Sequence, residues 1–171
     1  MPNPLERILF AFKLDRKTEI LIEDSFLSII GTTRPAMGYH ISLLGPALVT
    51  DHDAFEALVR RAFFIKDHLP IKTRLCQIGA FQNDTISTPY LGLSDPAPFV
   101  ALHNALLAFF DKVIESENEQ FRAWTIENYV PHVTLGLGLS AAEIKEFSQR
   151  TENLKLEIPF EASSLSLLRQ S

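Results

Sequence analysis

The chain has 171 residues, 46% of them hydrophobic, with 13 phenylalanines and a formal net charge of −5. That length and apolar content suit one domain with a sizeable core. The acidic balance excludes binding of long nucleic acid by bulk charge, which requires clustered Lys and Arg, and the single cysteine, Cys76, excludes an intrachain disulfide and favours a reducing compartment.

Ile8 to Leu14 is an apolar run that reads as a buried strand. Asp15 can cap a helix carrying Ile20, Leu21, Phe26, Leu27 and Ile30, and Gly31 to Gly38 breaks it. Tyr39 to Leu44 reads as a strand that Gly45-Pro46 stops. Thr50 and Asp53 have capping-box spacing before a helix with Phe55, Leu58, Val59, Ala62 and Phe63. Ile71 to Phe81 and Tyr90 to Leu93 read as a hairpin about a turn at Asn83 to Ser87. Asp95-Pro96 is a helix start for Phe99, Leu102, Leu106, Phe109, Phe110 and Val113. Glu115 to Asn128 reads as a loop with some helix, and Val130 to Leu137 as a strand. Ser140 and Glu143 form a capping box for a helix with Ile144 and Phe147, and Leu154 to Phe160 and Leu165 to Leu168 close the chain as strands. No signal peptide and no transmembrane helix are expected, since neither a basic leader with a long apolar run nor a run of about 18 apolar residues occurs. A cytoplasmic monomer is the expectation.

Two of these strands echo each other. His40-Ile41-Ser42-Leu43 and His132-Val133-Thr134-Leu135 both read His, β-branched, hydroxyl, Leu, and 132 − 40 = 92 positions separate the histidines, about half the chain. In a strand, residues i and i+2 share a face. Each strand therefore presents an imidazole and a hydroxyl together and anchors itself with the two apolar residues. Paired about a pseudo-twofold axis, the strands bring two imidazoles and two hydroxyls to one place. One imidazole can take a proton while the other gives one, and the hydroxyls can donate to phosphate oxygens. That set suits a phosphodiester and requires neither metal nor cofactor. A single His-x-Ser/Thr triplet arises often by chance; two copies in matching strand contexts are far more specific. His52 and His68 read as solvated, and His103, in an apolar helix, as packed. The basic cluster Arg60, Arg61 and Lys66, with Lys72 and Arg74 beyond it, reads as a solvated helix face, and Cys76 as a small core residue.

Through Tyr39-His40-Ile41-Ser42-Leu43-Leu44-Gly45 and Val130-Pro131-His132-Val133-Thr134-Leu135, the chain resembles the two-histidine phosphoesterase superfamily. That group includes 2′-5′ RNA ligase-like proteins and 2′,3′-cyclic nucleotide phosphodiesterases. Gly79-Ala80-Phe81 resembles the family's glycine-aromatic turn between the motifs. The resemblance spans Ile8 to Leu168. It implies an α+β fold, bilobal and pseudo-twofold, with two antiparallel sheets, outer helices and a central cleft, the whole chain forming one domain of two intertwined lobes. It further implies that His40 and His132 are the general acid and base, and that Ser42 and Thr134 hold the phosphate. Tyr39, Phe81, Trp124 and Tyr129 are the aromatic candidates for contact with a nucleotide base. Many RNA-ligase-like members carry an arginine after the second motif, where this chain has Gly136-Leu137-Gly138.

The expected activity is hydrolysis of a 2′,3′-cyclic phosphate on a small nucleotide or an RNA terminus, as in RNA processing. Two alternatives use the same fold: a non-catalytic module that binds a nucleotide or RNA end, and a 2′-5′ RNA ligase. A further reading makes His40 and His132 metal ligands; it lacks a carboxylate or third histidine on the motif strands.

Overall fold

The computed structural model describes residues 6–29, 34–82, 86–122 and 126–170. Strand β1, Arg7–Lys13, buries its five central residues. Helix α1, Arg16–Phe26, starts at Asp15, whose carboxylate accepts from the Thr18 backbone N–H, and buries Ile22 and Phe26. The expected Ile20, Leu21 and Leu27 are exposed instead, because the ring of Phe26, stacked at 6.4 Å on Phe147 of a later helix, sets which stripe faces inward; Ile30 lies outside the described residues.

Strand β2, His40–Val49, runs straight through Gly45-Pro46, where a stop was expected. Register shifts against β1 between Ile8 and Phe10 and between Phe10 and Ala11 absorb the irregular residues. A bulge of this kind keeps a strand paired past a proline. Helix α2, His52–Val59, is capped by Asp51 rather than Thr50: the Asp51 carboxylate accepts from the Ala54 backbone N–H. A 3-10 turn, Phe63–His68, follows and leaves Phe63 69% exposed, outside the expected helix stripe.

Strands β3, Ile71–Gln82, and β4, Ser87–Leu93, form the expected hairpin; most of its expected turn lies outside the described residues. Helix α3, Ala97–Phe110, begins after Pro96, with Asp95 accepting from the Ala97 N–H. Short elements β5, Ile114–Ser116, and α4, Glu119–Arg122, occupy the acidic stretch. Strand β6 is only His132–Thr134, shorter than expected. Helix α5, Ala141–Thr151, carries the complete Ser140–Glu143 capping box. Strands β7, Ile158–Ala162, and β8, Ser166–Gln170, close the chain.

The strand order is β7-β3-β4-β6-β2-β1-β8, with β5 beside β2, and every pairing is antiparallel. The fold is α+β, as expected. The two expected sheets are hydrogen-bonded into one eight-stranded sheet: the half β7-β3-β4-β6 meets the half containing β2, β1, β8 and β5 at the pair Ile41↔Val133. Helix α3 packs on β2, α5 on β4, and α1, although it lies between β1 and β2 in sequence, on β7. Phenylalanines fill the joint between helices and sheet: Phe12 meets Phe99 edge-on at 5.7 Å, and Phe10 and Phe55 lie 5.1 and 5.3 Å from Phe110. Burying each ring stabilises the fold by roughly 1.5–3 kcal/mol. The apolar face of the sheet is spent on this core, which leaves the alternating positions of β2 and β6 on the other face.

Candidate active site

Ile41 and Val133 are Cα partners on antiparallel strands, and both are fully buried. Their pairing fixes the rest by alternation. His40 stands opposite Thr134 and Ser42 opposite His132, all four half-buried on the face away from Ile41 and Val133. The two histidines occupy one diagonal of this quartet and the two hydroxyls the other. Directly opposed residues are about 4.5–5.5 Å apart and diagonal ones about 7–8 Å, so the two histidines are near neighbours on one face.

Neighbouring strands extend the same face. On β4, Tyr90 pairs with Thr134 and Gly92 with His132. On β3, Gly79 pairs with Tyr90 and Gln77 with Gly92. On β1, Lys13 pairs with His40 and Ala11 with Ser42. One row therefore reads Lys13, His40, Thr134, Tyr90, Gly79, and the next Ala11, Ser42, His132, Gly92, Gln77.

The two imidazoles are held alike. His40 Nδ1 lies 2.9 Å from the Gly38 carbonyl oxygen, and His132 Nδ1 lies 2.7 Å from that of Val130. Each is the carbonyl two residues upstream. A carbonyl only accepts, so Nδ1 carries the hydrogen and Nε2 is left for chemistry. The surroundings differ, however. His132 sits beneath Phe81 at 4.8 Å and Tyr90 at 5.5 Å, both edge-on. Burial pushes the His132 imidazole below the ordinary histidine value; the Val130 carbonyl opposes this, and the nearby His40 adds to it.

Phe81 and Tyr90 stack on each other at 4.4 Å, and Gly79 makes room for them. A Cβ at Gly79 would lie 2.7 Å from Cζ and Oη of Tyr90, so the Tyr90 ring lies across the bare backbone of β3.

Behind the quartet, two aromatic side chains hold the first motif strand. The Tyr129 hydroxyl donates to the Ser42 carbonyl at 2.9 Å. His103, fully buried on α3, donates from Nδ1 to the Leu43 carbonyl. Their rings stack at 4.0 Å and 12°. Burial raises the Tyr129 hydroxyl well above the usual phenol value, so it stays a donor at ordinary pH.

Of the residues singled out from sequence, the structure gathers His40, Ser42, His132, Thr134 and Phe81 on one face. Tyr39 is a correction. It precedes His40, so alternation turns it into the core, where it is 1% exposed and cannot meet a ligand. Tyr129 spends its hydroxyl on Ser42 and its ring face on His103. Trp124 lies outside the described residues. Gly79-Ala80-Phe81 sits within β3, not in a turn, because the hairpin continues past it to Gln82. Sequence reasoning missed Tyr90 and the role of His103. Hairpin register would have found Tyr90; nothing local marks His103. Lys72 and Arg74 of the basic cluster face Glu161 and Glu157. Among the described residues, no group of three or more His, Cys, Asp or Glu side chains is placed to hold a metal ion, and no helix is long and apolar enough to cross a membrane.

The family model described as "2'-5' RNA ligase superfamily" matches residues 32–171. No match is found among curated proteins. Solved structures do share the fold. The chain is similar to E. coli LigT complexed with 3'-AMP, with a TM-score of 0.66 and 17% identity, over 98% of this chain and 88% of that one. It is similar to a structure described only as a phosphoesterase, with a TM-score of 0.64 and 18% identity, over 98% and 90%. It is similar to Kluyveromyces marxianus Usb1 with uridine monophosphate, with a TM-score of 0.54 and 15% identity, over 96% of each chain.

Proposed function

The chain belongs to the 2′-5′ RNA ligase superfamily, and from that premise we propose that it is a phosphoesterase that opens 2′,3′-cyclic phosphates on small nucleotides or RNA ends. The observation that carries the reading is the Ile41↔Val133 pair, which sets two imidazoles and two hydroxyls on crossed diagonals of one site. The nucleotides named with LigT and Usb1 support the substrate class.

In the proposed reaction the phosphate lies between the two rings. His132, kept neutral by burial under Phe81 and Tyr90, takes a proton from water through Nε2 as the water oxygen bonds to phosphorus. His40 gives a proton to the ribose oxygen as its bond to phosphorus breaks. Such acid–base help contributes about 10²–10⁴-fold. Ser42 and Thr134 donate to the non-bridging oxygens, which gain charge in the transition state. Phe81, stacked on Tyr90, offers a face to the nucleotide base; base–aromatic stacking contributes about 1–3 kcal/mol. Hydrolysis is favoured over ligation because the segment after the second motif carries Leu137, 78% exposed, where a cation would serve an RNA chain. The proposal places a monomer in the cytoplasm, without a metal or other cofactor.

The test is turnover of nucleoside 2′,3′-cyclic phosphates and of RNA ending in one. His40→Ala and His132→Ala should each lower kcat by about 10²-fold or more. Undiminished turnover in either variant refutes the mechanism. Tight nucleotide binding with no product from the unsubstituted protein would instead establish a binding module.

A further inference from the structure

We propose that Lys13 forms a second anion subsite beside the quartet, one that binds a further phosphate of the substrate, so that the site selects a phosphate-bearing nucleotide or RNA end over a bare nucleoside cyclic phosphate. The inference rests on the catalytic reading above for the position of the first phosphate.

Three observations carry it. The first is register. Lys13 is the Cα partner of His40, and its neighbours Phe12 and Leu14 are buried in the core. Alternation therefore puts the Lys13 side chain on the face of His40 and Ser42.

The second is charge. Lys13 is exposed, and no carboxylate pairs with it among the described residues, where eight of the 16 Arg and Lys side chains form ion pairs. The acids nearest in sequence are engaged elsewhere. Asp15 caps α1 through Thr18, and Glu19 holds Arg16, Arg34 and the Tyr39 N–H. A chain of net charge −5 thus leaves an unpaired ammonium on the face of His40, a place for an anion to bind.

The third is position. Strands lie about 4.8 Å apart, so Lys13 on β1 stands one strand beyond His40, on the side away from His132. The quartet already provides two imidazoles and two hydroxyls for the scissile phosphate. The row has an aromatic end at Tyr90 and Phe81 and a cationic end at Lys13. A nucleotide whose base stacks at the first and whose cyclic phosphate lies in the middle has its remaining phosphate for the second. Ser166, the β8 partner of Ala11, is half-buried beyond the same end and adds a hydroxyl there.

The experiment compares adenosine 2′,3′-cyclic phosphate with its 5′-phosphorylated counterpart on the unsubstituted protein, Lys13→Met and Lys13→Arg. Lys13→Met should lose about tenfold more kcat/KM on the 5′-phosphorylated substrate than on the other, through KM, the size of one charge-assisted hydrogen bond. Lys13→Arg should keep the preference. Equal loss on both substrates would place Lys13 on the scissile phosphate and overturn the subsite, as would no loss on either. If the unsubstituted protein turns over neither substrate, that failure belongs to the catalytic reading. The subsite is then decided by calorimetry with adenosine 2′-monophosphate and adenosine 2′,5′-bisphosphate. About tenfold tighter binding of the bisphosphate, abolished in Lys13→Met, supports it; equal Kd values for the two overturn it.

Discussion

Replacing Gly79 with alanine sets a methyl carbon 2.7 Å from Cζ and Oη of Tyr90 and 3.1 Å from Cε1. Carbon atoms settle at about 3.5–4.0 Å, so the ring must move by roughly 1 Å. It cannot move freely, because Phe81 is stacked on it at 4.4 Å and His132 meets its edge at 5.5 Å. Overpacking of this kind costs about 1–3 kcal/mol, and the loss of glycine freedom in the unfolded chain returns about 0.4–1 kcal/mol. A net destabilisation of about 1–2 kcal/mol is expected, read as a fall in Tm of about 2–8 °C. The larger effect falls on turnover: a shift of about 1 Å in the ring that packs against His132 can cost about 10²-fold. The assay is kcat/KM on adenosine 2′,3′-cyclic phosphate for Gly79→Ala, Tyr90→Ala and the double variant. With the ring removed, the methyl group has nothing to strike, so Gly79→Ala should be nearly silent in the Tyr90→Ala background. A loss of the same size in both backgrounds would refute the wedge, because independent sites add.

Two further outcomes follow from the site. Tyr129→Phe removes the bond to the Ser42 carbonyl and should cost about 1 kcal/mol, with kcat lowered and KM nearly unchanged; the opposite split would make Tyr129 a substrate contact. His132 titrates below the ordinary histidine value in the folded chain, chiefly through burial, while in the unfolded chain it titrates near 6.5. Between those values the unfolded state holds more protons, so this contribution to stability grows as pH rises through the window just below about 6.5 and is lost on acidification. Urea midpoints at pH 5 and 7 should therefore differ less in His132→Gln than in the unsubstituted protein; an unchanged difference would deny the burial of that ring.

The motif residues were legible because the chemistry and the strand share one period. His and hydroxyl two apart, flanked by Ile41 and Leu43 or Val133 and Leu135, can face only one way in a strand. The same rule placed Tyr39 in the core, one residue out of phase with His40, which its aromatic character obscured. Local cues failed where the answer lay on another strand. Gly45-Pro46 reads as a stop, yet β1 accommodates it by two register shifts. Thr50 has capping-box spacing, but Asp51 reaches the Ala54 N–H. Tyr90 and Lys13 join the site face only through the registers of β3–β4 and β1–β2, and His103 through a helix that packs on β2. Apart from the Asp51 cap, which is local, these are pairings between distant parts of the chain, and no single segment encodes them.

The crossed diagonals at Ile41↔Val133 also govern when the protein can act. Each half of the sheet supplies one imidazole and one hydroxyl, so a chain made only as far as β5 holds the first motif without the second. The missing ring lies 132 − 40 = 92 residues downstream, and contacts of such separation are the slow ones to form. On the proposed mechanism, an unfinished or half-assembled chain is therefore inactive, and competence waits for the second motif to dock against the first.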